Sequence, residues 1–148
     1  MDPLQRFAAY AADFEKTFED DDWTRLEVYF AEDATYTVTG TPFDCTIQGR
    51  DAIFRAIKKS IDGFDRRFDK RDLVPNGPPV VNGNRVTFSG TGHYEKEGVD
   101  ALTIQLSETA VLDEAGLIVS LEDSYPKGQD DMLGWLERYS ADFDPSYL

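Results

Sequence analysis

A chain of 148 residues is the size of one ordinary domain, and its 10 Phe, 7 Tyr and 2 Trp are enough to build a core and to line a cavity within it. With 41% hydrophobic residues the chain is not expected to be disordered. A net charge of −14 repels a phosphate backbone, because nucleic-acid affinity rests on Lys and Arg displacing condensed counterions, so a nucleic-acid partner is excluded.

Cys45 is the only cysteine, which excludes an intrachain disulfide and a thiolate metal cluster. It reads as a loop residue, with Asp44 beside it to raise its thiol pKa, and so does not read as a nucleophile. Met1-Asp2-Pro3 has neither a basic nor an apolar leader region, and no apolar run approaches the ~18 residues of a membrane span. A soluble, cytoplasmic protein without membrane association is expected. The chain reads as a single domain over 1–148, with a core over 1–126 and a C-terminal extension over 127–148.

Asp2 before Pro3 has the form of an N-cap with proline at the first helical position. Leu4, Phe7, Ala8, Ala11, Phe14 and Phe18 then recur at helical spacing. Asp20-Asp21-Asp22 interrupts this helix, and Asp22 can cap a second one starting at Trp23, with Leu26 and Phe30 on its apolar side. Thr35–Thr39 has strand character, with Tyr36 and Val38 on one face. A Gly40–Asp44 loop follows, and a third helix begins after Gly49, with Ile53, Phe54, Ile57 and Ile61 inward. Gly63 is expected to end it in a left-handed conformation.

The remainder is mostly β. Phe64–Val74 is a charged, ambiguous strand, and Arg55, Lys58, Lys59, Arg66, Arg67, Lys70 and Arg71 lie among Asp62, Asp65, Asp69 and Asp72. Interleaved charges of this kind describe a solvated face more readily than an anion site. Val80-Val81, the turn Asn82-Gly83-Asn84 and Arg85–Phe88 form a hairpin signal. Glu97-Gly98 and Asp113–Gly116 are further turns. Asp131–Tyr139 reads as a short helix with Met132, Leu133, Trp135, Leu136 and Tyr139 as its apolar residues, either packed on the core or an interface, or covering a ligand. The order implies an α+β fold: a cone-shaped, strongly curved antiparallel sheet wrapped around three N-terminal helices, a cystatin-like roll with a short C-terminal helix and space for a conical cavity.

Phe30-Ala31-Glu32-Asp33-Ala34-Thr35, then Ile47-Gln48-Gly49-Arg50-Asp51-Ala52-Ile53 and the closing Asp113-Glu114-Ala115-Gly116-Leu117-Ile118 resemble the nuclear transport factor two-like superfamily, in its SnoaL-like and ketosteroid isomerase-like branch. The resemblance spans Leu4 to Tyr125. It implies a homodimer paired through the convex sheet face. The superfamily holds isomerases, cyclases, dehydratases, epoxide hydrolases and pure binders, so fold alone does not name a reaction.

Carried over by that resemblance, the general base of the steroid isomerases falls on Val38 and their oxyanion-hole tyrosine on Phe14, so neither group is present. Their second oxyanion donor, a protonated carboxylic acid, falls on Glu108. Alternation agrees: Leu102, Ile104, Leu106 and Glu108 share a face, so the carboxyl ends an apolar row where desolvation disfavours its anion. Leu121, Asp123 and Tyr125 share a face of the last strand, and Val86, Phe88 and Tyr94 do so if no bulge occurs at Gly90 or Gly92. Asp123 could then share a proton with Glu108. The blander alternatives place Glu108 outward or against an arginine, with Asp123 satisfying backbone groups.

His93, the only histidine, has the parity of the convex face, which a bulge would reverse. With one histidine and no cysteine cluster, metal-free chemistry without a cofactor is expected. The expected ligand is a small, mostly apolar molecule held among Phe14, Tyr36, Val38, Phe88, Tyr94, Leu106 and Tyr125. Glu108 would be acid or oxyanion donor and Asp123 its partner or base, in isomerisation, cyclisation or dehydration. The alternative is a non-catalytic binding or dimerisation module of the same fold.

Overall fold

The computed structural model describes residues 1–125 and 129–148. Helix α1 (Pro3–Asp20) starts as expected, with the Asp2 carboxylate accepting from the amides of Leu4 and Gln5. It ends at Asp21, whose backbone is left-handed. Its inward face is rotated from the expected stripe: Phe7, Tyr10 and Thr17 are buried, whereas Leu4 and Ala8 are exposed. The next segment, Trp23–Tyr29, is a 3₁₀ helix capped by Asp22. Strand β1 (Phe30–Thr39) begins five residues earlier than expected, so Phe30 opens a strand rather than closing a helix.

Strand β2 (Cys45–Gln48) makes Cys45 a strand residue, not a loop residue, with burial raising its thiol pKa. Helix α2 (Arg50–Gly63) buries Ile53, Phe54, Ala56, Ile57, Ser60 and Ile61. Gly63 does not take the left-handed conformation. The glycine is needed for a different reason: a Cβ there would stand 2.1 Å from the carbonyl oxygen of Asp144. The stretch from Phe64 divides into a short 3₁₀ turn (Asp65–Arg67) and strand β3 (Lys70–Pro75). Strands β4 (Val80–Asn82), β5 (Arg85–Glu95), β6 (Leu102–Leu112) and β7 (Ile118–Ser124) follow, then helix α3 (Gln129–Tyr139).

The seven strands form one curved, unclosed sheet in the order β2-β1-β7-β6-β5-β3, with β4 also on β5. All pairings but one are antiparallel; β1 and β7 run parallel, because helix α2 and the long hairpins intervene between them. The β5–β6 register runs unbroken from Arg85↔Val111 to Tyr94↔Leu102, so no bulge occurs at Gly90 or Gly92. Those glycines leave room on the concave face for neighbouring rings: a Cβ would lie 2.9 Å from Phe88 at position 90 and 2.8 Å from Tyr94 at position 92.

Two clusters fill the interior. In the first, Phe30 stands edge-on to both Tyr10 (5.4 Å) and Phe54 (5.3 Å) and ties the helices to the sheet. The second gathers Phe64, Tyr94, Leu102, Ile104, Met132, Trp135, Leu136 and Phe143. Helix α3 is therefore packed on a core, and Trp135 anchors it by donating from Nε1 to the carbonyl of Asp100 at 2.7 Å. No helix among the described residues is long and apolar enough to cross a membrane.

Candidate functional site

Between α1, α2 and the concave sheet face lies a cavity of about 190 Å³. Phe14, Tyr36, Phe88, Tyr94, Leu106, Glu108, Asp123 and Tyr125 all line it. Val38 does not; it shares the face of Tyr36 but is packed into the first core cluster. His93 is exposed on the opposite face, its Nδ1 3.4 Å from the Thr103 hydroxyl, as its parity requires when no bulge intervenes.

The strand register brings the two acids together. Glu108 on β6 pairs directly with Asp123 on β7 and with Phe88 on β5, while Asp123 pairs with Val38 on β1. Directly opposed side chains on one face of a sheet stand about 5 Å apart at Cβ, within reach of each other. The Tyr36 hydroxyl donates to Asp123 Oδ2. Asp123 Oδ1 is buried without a donor while both carboxyls are ionised. A proton on Glu108 removes that deficit.

The electrostatics point the same way. Burial, reinforced by the neighbouring Asp123, pushes the Glu108 carboxyl well above its ordinary range. Burial also raises Asp123, but hydrogen bonds from Glu108 and Tyr36 oppose the rise. Burial thus pushes both carboxyls towards their protonated forms, and the two titrate as a pair. Such a pair can donate from one carboxyl and receive at the other without a metal.

Tyr10 is a cavity residue that the sequence reading missed. An ungapped count from Asp33-Ala34-Thr35 reaches Phe14, whereas Tyr10 lies one helical turn earlier on the same face. Its hydroxyl is held protonated by burial and by the nearby Glu108 and Asp123, so it remains a donor. The i−4 spacing on α1 was the available signal.

Asp65 and Arg71, assigned from sequence to a solvated charged face, also line the cavity. Arg71 donates from Nε to Asp65 Oδ2 at 3.2 Å and from Nη1 to Glu15 Oε2 at 3.0 Å, with its guanidinium 4.4 Å from the centre of the Phe18 ring. Tyr94 donates to the same Asp65 oxygen at 3.3 Å. Burial raises Asp65, against the pull of Arg71. Tyr147, far along the chain, closes the remaining side and stacks edge-on to Tyr36 at 5.7 Å.

Residues 11–121 match the family model described as the SnoaL-like domain. The chain belongs to the SnoaL-like family. Solved structures with the same fold include an NTF2-like protein of unknown function from Burkholderia pseudomallei, at TM-score 0.67 and 16% identity over 91% of this chain and 98% of that one. TerC, co-crystallised with polyporic acid, is similar at TM-score 0.65 and 16% identity over 91% and 98% of the two chains. An epoxide hydrolase of Mycobacterium tuberculosis, described as LEH-like, is similar at TM-score 0.60 and 13% identity over 94% and 92%. At these identities the likeness of the SnoaL-like chain to them is one of fold. Among curated proteins, none matches its sequence.

Proposed function

We propose that this SnoaL-like protein binds a small, mostly apolar molecule in the 190 Å³ cavity and acts on it by metal-free acid–base chemistry. The observation that carries this reading is the cross-strand pairing of Glu108 with Asp123 on the wall of an aromatic cavity. Glu108, protonated, is the acid or the hydrogen-bond donor to a developing oxyanion; Asp123, held by Tyr36, receives the proton; Tyr10 is a second donor. Isomerisation, cyclisation and dehydration each need such a donor and acceptor on one face of a substrate. The size suits a compact ligand, since an apolar cavity of about 150 Å³ is known to take up benzene.

A second reading, binding without catalysis, is favoured by Val38 and Phe14 standing where the steroid isomerases carry their base and tyrosine. One experiment addresses both. Glu108 is followed by carbon-detected NMR across pH, with and without toluene as a probe ligand. The proposal expects toluene to shift the signals of Tyr36, Phe88 and Leu106, and Glu108 to titrate far above the ordinary glutamate value of about 4.3. A normal titration removes the acid and leaves the binder; no response to toluene removes the binding site as well.

For the whole molecule we infer a homodimer paired through the convex sheet face, where Thr37, Glu122, Thr109 and Thr87 lie in one row across four strands. A single monomer boundary in sedimentation velocity at high concentration would refute the dimer.

A further inference from the structure

The main cavity is not the whole interior space. A second chamber of about 40 Å³ lies behind it, bounded on its far side by Phe43, Phe64, Ile104 and Met132. The two chambers share the walls Ser60, Asp65, Tyr94, Tyr125 and Tyr147. Of these, Ser60 lies in α2, Asp65 in the turn after it, Tyr94 in β5 and Tyr125 directly after β7. Tyr147 alone belongs to the irregular segment that follows α3.

That segment is fixed to the C-terminal half of α2. The Ser60 hydroxyl donates to the carbonyl of Pro145 at 2.7 Å, Lys59 Nζ reaches Ser146 Oγ at 2.8 Å, and the Asp144 amide donates to the carbonyl of Gly63 at 2.9 Å. The close approach at Gly63 is what lets the segment lie there. These bonds hold the three residues that lead into Tyr147, so its ring is presented to the cavity by a frame that does not depend on the ring itself.

We propose that Tyr147 is the specificity-determining residue of the cavity, a partition that limits ligands to the length of the main chamber. The proposal rests on the reading of that cavity as a ligand site. With the ring in place, the main chamber takes a single-ring apolar molecule and the second chamber, at about 40 Å³, takes only water. With the ring removed, the chambers join into one elongated apolar space that runs from Glu108 and Asp123 towards Met132.

The test compares toluene with 4-hydroxybiphenyl, each titrated by NMR into the wild-type protein and into the Tyr147→Phe, Tyr147→Leu and Tyr147→Ala variants. The wild type and Tyr147→Phe should prefer toluene. In Tyr147→Ala the preference should move towards 4-hydroxybiphenyl by tenfold or more, with Tyr147→Leu moving the same way. A role confined to stability would weaken both ligands together and leave their ratio alone. A ratio that stays within twofold of wild type in a folded variant overturns the proposal. If neither Tyr147→Ala nor Tyr147→Leu folds, Tyr147 is a core residue and the proposal is equally overturned. Should neither ligand bind the wild type, the reading of the cavity as a ligand site fails first.

Discussion

Replacing Glu108 by glutamine isolates the buried proton. In the unfolded chain this carboxyl ionises near pH 4.3. In the native chain burial and Asp123 hold its proton to higher pH. Between those two points the native state binds a proton that the unfolded state has lost, so wild-type stability falls as pH rises. The slope is about 1.4 kcal/mol per pH unit for one proton, and it levels off above the native pKa. Asp123, also raised, contributes with the same sign. Glutamine keeps the shape and can donate from its amide to Asp123, but it carries no titrating proton. The stability difference between Glu108→Gln and wild type should therefore grow in the variant's favour from about pH 4.3 upward. For a chain of this size about 1 kcal/mol corresponds to ~2–4 °C, so each pH unit should widen the gap in melting midpoint by roughly 3–6 °C. Calorimetric melts from pH 4 to pH 8 on both proteins measure it. Parallel curves between pH 4.5 and pH 7 would mean that Glu108 is solvated, and the acid role assigned to it would fall.

Three other substitutions probe the supports of the site. Tyr36→Phe deprives Asp123 Oδ2 of its donor and should cost about 1–3 kcal/mol in urea unfolding, while NMR shows Asp123 titrating still higher than in wild type. Gly63→Ala drives a methyl group against the Asp144 carbonyl; a loss of about 1–3 kcal/mol, with the amides of Asp144, Ser146 and Tyr147 exchanging faster, is expected, and wild-type exchange there would be contrary. Asp2→Ala removes the cap of α1 at a cost of about 1 kcal/mol in thermal melts, far from the cavity and without effect on toluene binding.

How much of the site was legible in the sequence varies with the kind of signal. Glu108 and Asp123 were placed on the cavity wall because strand alternation is strictly two-residue, and each interrupts a row of apolar residues of its own parity. Val38 was misplaced because parity gives the face of a strand but not how far along that face the cavity extends. Tyr10 was missed because a gapless count cannot choose between residues one helical turn apart. Cys45 and Gly63 went astray for a related reason: a four-residue strand leaves too short a pattern, and a glycine required by a distant carbonyl looks the same as a glycine required by its own φ.

The sequence by itself determined the helix cap at Asp2, the turns at Gly83, Gly98 and Gly116, the hairpins and the inward faces of β5, β6 and β7, because each depends on residues within one or two turns of each other. Only the tertiary structure decided the rest. The parallel pairing of β1 with β7 set Tyr36 beside Asp123, the turn after α2 carried Asp65 to Arg71 and Tyr94, and the segment beyond α3 brought Tyr147 back over Tyr36. The Tyr36–Asp123, Asp65–Tyr94 and Tyr36–Tyr147 contacts join residues 87, 29 and more than 100 positions apart, where local preference has no hold and packing alone selects the partner.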